Sequence, residues 1–325
     1  MLTDLDLSPQ SDDVYEWADF IELRAICHPD RAFSKGDLFG VLNRGRDRSS
    51  DATNDNDGVF LSTVESTTTS NEFPSRSPAG RWRDAITFIN GRISVFGPDY
   101  PFQINGDTVE LLDSIGNGAK LYLVLLISAS MRYIPRTRRN EVARQFEEHS
   151  LAVFEKIMPM GMEVRAAWAR GGAAAPYQGT LFEKLQLIAA DIRARFNCRP
   201  EDFRANDRGD GGIDIVAWHP MGDDREGVPI AMAQCGCSRD DWSFKHLEAS
   251  PAKLGHQLSV MHPWSTYYFL PQDLRKGSNW AQKSDMGHAI FVDRLRIIRL
   301  ARQYELTASM EIPTFLTDVF ASSFM

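Results

Sequence analysis

Residues 206 to 245 read NDRGDGGIDIVAWHPMGDDREGVPIAMAQCGCSRDDWSFK, and the rest of the chain is organised around them. Two short apolar runs, GIDIVAW and VPIAMAQCG, flank a turn-rich connection, HPMGDDREG. Apolar and β-branched residues bounded by Gly, Pro and Asp form a hairpin. Residues equally far from the centre of an antiparallel hairpin face each other. With the turn centred near Asp224, Asp214 stands opposite Gln234 at the open end. SRDDW, directly after that end, has the form of a helix start, and Lys245 follows about one turn into it. A carboxylate, an amide oxygen and an ammonium then share one sheet edge, a set able to hold a divalent cation and a phosphate. Asp214 lies between Ile213 and Ile215, and buried carboxylates are normally paired or metal-bound. Plainer roles also suit these types: a turn aspartate, a glutamine bonded to backbone, a lysine on a helix surface.

The chain has 325 residues, enough for a sizeable core and two domains. Apolar and charged fractions are those of a soluble globular protein. A formal net charge of −8 excludes a global basic field, so any nucleic-acid surface is local. Four scattered cysteines, Cys27, Cys198, Cys235 and Cys237, suit a reducing cytoplasm. Cys235 and Cys237 lack a second Cys or His pair at zinc spacing. The start, MLTDLDLSPQSDD, is acidic and has no signal-peptide pattern, and LYLVLLISASMRYI is too short to span a bilayer. These features point to a cytoplasmic protein with no membrane partner. No Gly-rich phosphate loop and no Gly-x-Ser-x-Gly elbow occurs, which argues against an ATPase and a serine hydrolase.

The residues around the hairpin resemble the PD-(D/E)xK, restriction-endonuclease-like nuclease superfamily. Its Gly-Gly-x-Asp strand, which supplies a metal-binding aspartate, is matched by Gly211, Gly212, Ile213 and Asp214. Its next strand carries Glu or Gln, any residue, then Lys; type IV restriction enzymes and related nucleases use the Gln form. Here the triplet is Gln234-Cys235-Gly236, with glycine at the lysine position, and Lys245 in Trp242-Ser243-Phe244-Lys245 offers a replacement on the following helix. The resemblance covers Tyr177 to Tyr304. It implies an α/β fold with an α-β-β-β-α-β core, a site of Asp214, Gln234 and Lys245, and Mg²⁺ or Mn²⁺ as cofactor. Glu183, on the core's first helix, would complete the metal set of Asp214, Glu183 and Gln234. The implied activity is metal-dependent endonucleolytic hydrolysis of DNA, in defence against foreign DNA, with a partner protein of such a system a further implication. The alternative is a catalytically degenerate nuclease-fold module that binds nucleic acid or a partner protein in a larger assembly.

Elsewhere the pattern predicts helices over SDDVYEWADFIELRAI and SKGDLFGVLN within an N-terminal segment, 1–45. Residues 46–80, dominated by Ser, Thr, Asn, Asp and Gly, read as a flexible polar linker or loop. A mainly helical domain follows over 81–170. In it, ITFINGRISVFG and PFQING read as short strands with Asn-Gly turns, and TVELLDSI, KLYLVLLISASMRYI and RRNEVARQFEEHSLAVFEKIMP as helices. His149 falls on an apolar stripe with Val142, Phe146 and Val153 and reads as a packed residue. The domain over 171–325 opens with the helix TLFEKLQLIAADIRARF, where Thr180 and Glu183 also have capping-box spacing. Its first strand is expected just before Gly211, and a helix interrupted near Pro251 is expected over DDWSFKHLEASPAKLGHQLSVM. STYYFLPQ and the start of HAIFVDRLRIIRLARQY read as strands.

Overall fold

The protein is described by a computed structural model covering residues 2–51, 77–168, 175–204, 207, 209–238, 242–276, 279–280, 286–314 and 317, without side chains for 44–51. Most of the expected linker, the 170–177 boundary up to residue 174, Arg239 to Asp241 at the expected helix start, and most of the C-terminal tail lie outside these residues. The chain is a mixed α/β protein that divides into two compact units. One comprises 1–120, 132–135 and 314–325; the other comprises 121–131 and 136–313. The boundary anticipated at 170–177 therefore falls inside the second unit.

In the first unit, α1 (Val14–Cys27) is followed by β1 (Ala32–Ser34) and α2 (Lys35–Asp51). α3 (Pro78–Phe96) then leads into β2 (Phe102–Asn105) and β3 (Thr108–Leu111). ITFINGRISVFG lies in α3 and is not a strand. Ser77 caps that helix with Pro78 behind it, and Trp82, Ala85, Ile89 and Phe96 bury one face at helical spacing, overriding the Asn90-Gly91 turn signal. TVELLDSI, expected as a helix, begins as β3. Val109 and Leu111 alternate inward there, and β3 pairs with β1 and β2 on its two sides. Asn105 and Thr108 close the β2–β3 hairpin around Gly106, whose φ of 58° is left-handed.

In the second unit, α5 (Arg136–Ile157) follows α4 (Asn117–Ser128), whose residues from Leu121 onward belong here. Then come β4 (Glu163–Ala166), α6 (Leu181–Asp191), β5 (Arg195–Phe196), β6 (Ile215–Trp218) and β7 (Ile230–Cys235). The chain continues through α7 (Trp242–Lys245), α8 (Pro251–Leu254), β8 (Leu258–Ser259) and β9 (Ser265–Phe269). It ends in β10 (Arg275–Lys276), β11 (Asn279–Trp280), β12 (Ala289–Val292) and α9 (Arg294–Gln303). A five-stranded sheet has the order β12-β9-β7-β6-β4, antiparallel from β4 to β7 and parallel from β7 to β12. Phe154 of α5 packs on Tyr267 and Phe269 on one face. Leu185 and Ile188 of α6 join Val216, Trp218, Ile230 and Met232 in the apolar core on the other. Helices on both faces account for the nearly continuous burial of β6 and β7.

The strand beside β6 is β4, upstream of α6, and not a stretch just before Gly211. The ladder Glu163↔Trp218 to Ala166↔Ile215 extends through the Ala167 N–H, which donates to the Asp214 carbonyl at 2.7 Å. The helix preceding this three-strand meander is α5. α6 is inserted between its first two strands. The helix expected after the hairpin is reduced to two single turns, because Ser250 and Pro251 start α8 afresh.

Candidate metal centre

The hairpin has the anticipated register: Ile215↔Ala233 through Trp218↔Ile230. Continued by one residue, it sets Asp214 against Gln234. Gln234 pairs with Tyr268 on β9, and Tyr268 with Phe291 on β12. Paired residues share a face of a sheet. Asp214, Gln234, Tyr268 and Phe291 thus form one row across four neighbouring strands. The row lies at the edge where parallel strands β7, β9 and β12 end, the usual ligand position of such sheets.

At Asp214 the ladder changes hands. Its N–H donates to the Ala233 carbonyl at 3.0 Å, and its Oδ2 accepts from the Cys235 N–H at 2.7 Å, a bond that backbone would otherwise supply. The carboxylate is buried at the sheet edge, with 7% of the residue exposed. Gln234 is buried too, and its Nε2 donates to Glu248 Oε2 at 2.5 Å. Gln234 Oε1 is sealed from solvent and has no hydrogen-bond partner among the described residues. The outer oxygen of Glu248 lies 3.6 Å from Lys253 Nζ, an ion pair half open to solvent.

Glu248 joins the site because of the two glycines. Gly211 and Gly212 have φ of 68° and 83°, and a Cβ at 212 would lie 2.5 Å from Glu248 Cβ. Only a glycine lets the Glu248 turn descend onto the backbone beside Asp214. The Gly-Gly pair was thus a readable sign of a close approach, although it did not identify the approaching residue. Asp210 has a plainer role: its Oδ1 accepts the Gly212 N–H at 2.9 Å and stabilises the turn.

Lys245 closes α7, and its carbonyl accepts from the Glu248 N–H at 2.9 Å. Bonds spaced three residues apart continue through this turn, so Lys245 and Glu248 stack on one side of it. His246, on the other side, is buried; Gly287 N–H donates to its Nε2, which leaves Nδ1 to donate to the Trp242 carbonyl. Cys235 is a protonated thiol, since burial foremost and then Asp214 push it well above the ordinary range.

Glu183 caps its own helix. Its Oε2 accepts from the Thr180 N–H at 2.7 Å and from the Thr180 hydroxyl at 3.0 Å, completing the capping box of α6. Those two bonds hold its carboxyl below the usual range. α6 is inserted into the meander, and this glutamate is engaged at the helix's own N-terminus. Thr180→Ala should cost about 1 kcal/mol of stability, read from the denaturation midpoint.

The donors at the sheet edge are all oxygen: two carboxylates, Asp214 and Glu248, and the amide oxygen of Gln234. This set suits a hard cation such as Mg²⁺ or Mn²⁺ with water in its remaining positions. The orphaned Oε1 is the atom that most needs such a ligand. No cluster of three His, Cys, Asp or Glu side chains able to hold a metal exists among the described residues. No helix among them is long and apolar enough to cross a membrane.

No family model matches the chain, and no curated protein matches it. Among solved structures it is similar to the MspJI restriction endonuclease in complex with a 27-mer oligonucleotide, at 12% sequence identity and a TM-score of 0.28. The match covers 65% of this chain and 36% of that one, so this chain spans little more than a third of that protein's length. A superposition this loose transfers neither a fold nor an activity.

Proposed function

We propose that this protein is a metal-dependent nuclease that hydrolyses phosphodiester bonds in DNA. The observation that carries the reading is the buried, unpartnered Oε1 of Gln234 beside the carboxylates of Asp214 and Glu248. Asp214, Gln234 and Glu248 would hold Mg²⁺ or Mn²⁺. Such an ion supplies positive charge at the phosphate oxygens and lowers the pKa of water. The Cys235 N–H holds the Asp214 carboxylate in place, and Gln234 Nε2 holds that of Glu248. Lys245, stacked with Glu248, supplies positive charge toward the phosphate. In the reaction a water oxygen bonds to phosphorus as the bond to the leaving sugar oxygen breaks. The proton of the water passes to solvent, and the leaving oxygen takes one up.

The test is plasmid cleavage with Mg²⁺ by the wild type and by Asp214→Ala, Lys245→Ala and Glu183→Ala. Asp214→Ala should be slower by roughly 100- to 1,000-fold, the equivalent of several kcal/mol of charge stabilisation. Lys245→Ala should also be slower. Glu183→Ala should cleave normally, because its carboxylate is engaged at Thr180. Equal cleavage by the wild type and Asp214→Ala would reject the site. A second reading is favoured by Gly236, which places no ammonium at the end of β7: a nuclease-like module that binds nucleic acid or a partner without cutting. Undetectable Mg²⁺ or Mn²⁺ binding together with intact DNA binding would select it.

A further inference from the structure

The end of β7 carries a second orphaned polar atom. The hydroxyl of Tyr268 is fully buried and has no hydrogen-bond partner among the described residues. It lies directly against Gly236: a Cβ built there would meet the Tyr268 hydroxyl first, and the ring carbons Cζ at 2.8 Å and Cε2 at 3.2 Å. No other residue type fits at 236 while that ring is in place. The glycine therefore makes room for a phenol at the strand end. His246 and Phe291 wall the ring, with centroids 6.3 and 5.6 Å from it, and Trp242 packs edge-on against Phe291. Such packing fixes the direction of the hydroxyl.

Leaving a phenol hydroxyl buried without a partner costs stability, and a fold that needed only an apolar filler would have phenylalanine here. Gln234 and Tyr268 are direct neighbours on paired strands, so their two orphaned oxygens face the same side of the sheet. Two buried oxygens without partners on one face of the sheet are the kind of groups a small polar ligand such as water satisfies.

We propose that Tyr268 is the positioning residue for the attacking water: its hydroxyl, seated over Gly236 beside Gln234, holds that water at the Asp214–Glu248 edge. This role rests on the nuclease reading and deepens it. Burial foremost, then the neighbouring thiols and the carboxylates of Glu248 and Asp214, raise the phenol well above its ordinary range.

The experiment compares the wild type, Tyr268→Phe and Asp214→Ala in two measurements, Mg²⁺-dependent plasmid cleavage from pH 6 to 9 and the thermal midpoint without metal. Tyr268→Phe is expected to cleave roughly 10- to 100-fold more slowly. It is also expected to melt at a higher temperature than the wild type, because an orphaned hydroxyl has been removed. A structural tyrosine would show the reverse in the second measurement. Unchanged cleavage by Tyr268→Phe, or a lowered midpoint accompanying its slower cleavage, overturns the role of Tyr268 while the nuclease reading stands on Asp214→Ala. A wild type that cleaves nothing with Mg²⁺ or Mn²⁺ overturns both.

Discussion

Arg92→Met is expected to destabilise the first unit by about 3–5 kcal/mol, among the largest effects of any single substitution in this protein. Arg92 on α3 reaches two acids of α1, Asp19 at 2.8 Å and Glu22 at 2.7 Å, and all three side chains are fully buried. Tyr100 adds a hydroxyl donated to Glu22 at 2.6 Å. Removing the guanidinium leaves two carboxylates in a sealed site without their cation. Either they ionise without compensation or they take up protons, and both cost folding free energy. The urea midpoint should fall while the slope of the transition is unchanged. Asp19→Leu, Glu22→Met and Arg92→Met combined should recover most of the loss, because the guanidinium and its two carboxylates are then removed together. A single Arg92→Met variant within about 1 kcal/mol of the wild type would show that the carboxylates are solvated after all.

In the second unit, two buried groups set opposite pH dependences. Burial, outweighing a main-chain contact with Glu311, lowers His149 from 6.5 to about 4. Burial, and then the charge of Asp273, raise Asp293 from 3.8 to about 7. For His149 the unfolded chain binds the proton first as pH falls. Its contribution is therefore fully present above 6.5 and is lost on going toward 4. For Asp293 the folded state holds the proton. Its contribution is present below 3.8 and is lost as pH rises through about 7. Between these limits the two slopes oppose, so these two contributions should nearly cancel from about 6.5 to 4. His149→Phe should grow more stable as pH falls from 7 to 4, and Asp293→Asn less stable over the same range. The His149 change alone is worth roughly 3 kcal/mol at the acid end, at about 1.4 kcal/mol per pH unit. Denaturation midpoints of the three proteins at pH 4, 5.5 and 7 check this; parallel curves would refute it.

The sequence alone was enough for the strongest local features. Turn chemistry between Trp218 and Ile230 sets the hairpin register, and that register by itself aligns Asp214 with Gln234. Thr180 with Glu183 specifies a helix start, and the 3.6-residue apolar stripe through Val142, Phe146, His149 and Val153 specifies α5. Where two local signals competed, burial decided: ITFINGRISVFG became a helix and TVEL a central strand because of what packs against each.

Only the tertiary structure could show that β4, far upstream, pairs with β6, since strand pairing is non-local and leaves no spacing to read. The same holds for the residues at this sheet edge that local reading missed. Glu248 reaches Gln234 from a turn that Gly212 admits, and Tyr268 arrives from a parallel strand whose side chain accounts for the glycine at 236. A sequence displays the space a glycine leaves. Which side chain fills it depends on how distant strands and turns pack, because contacts across a sheet are set by register between segments and not by order within one.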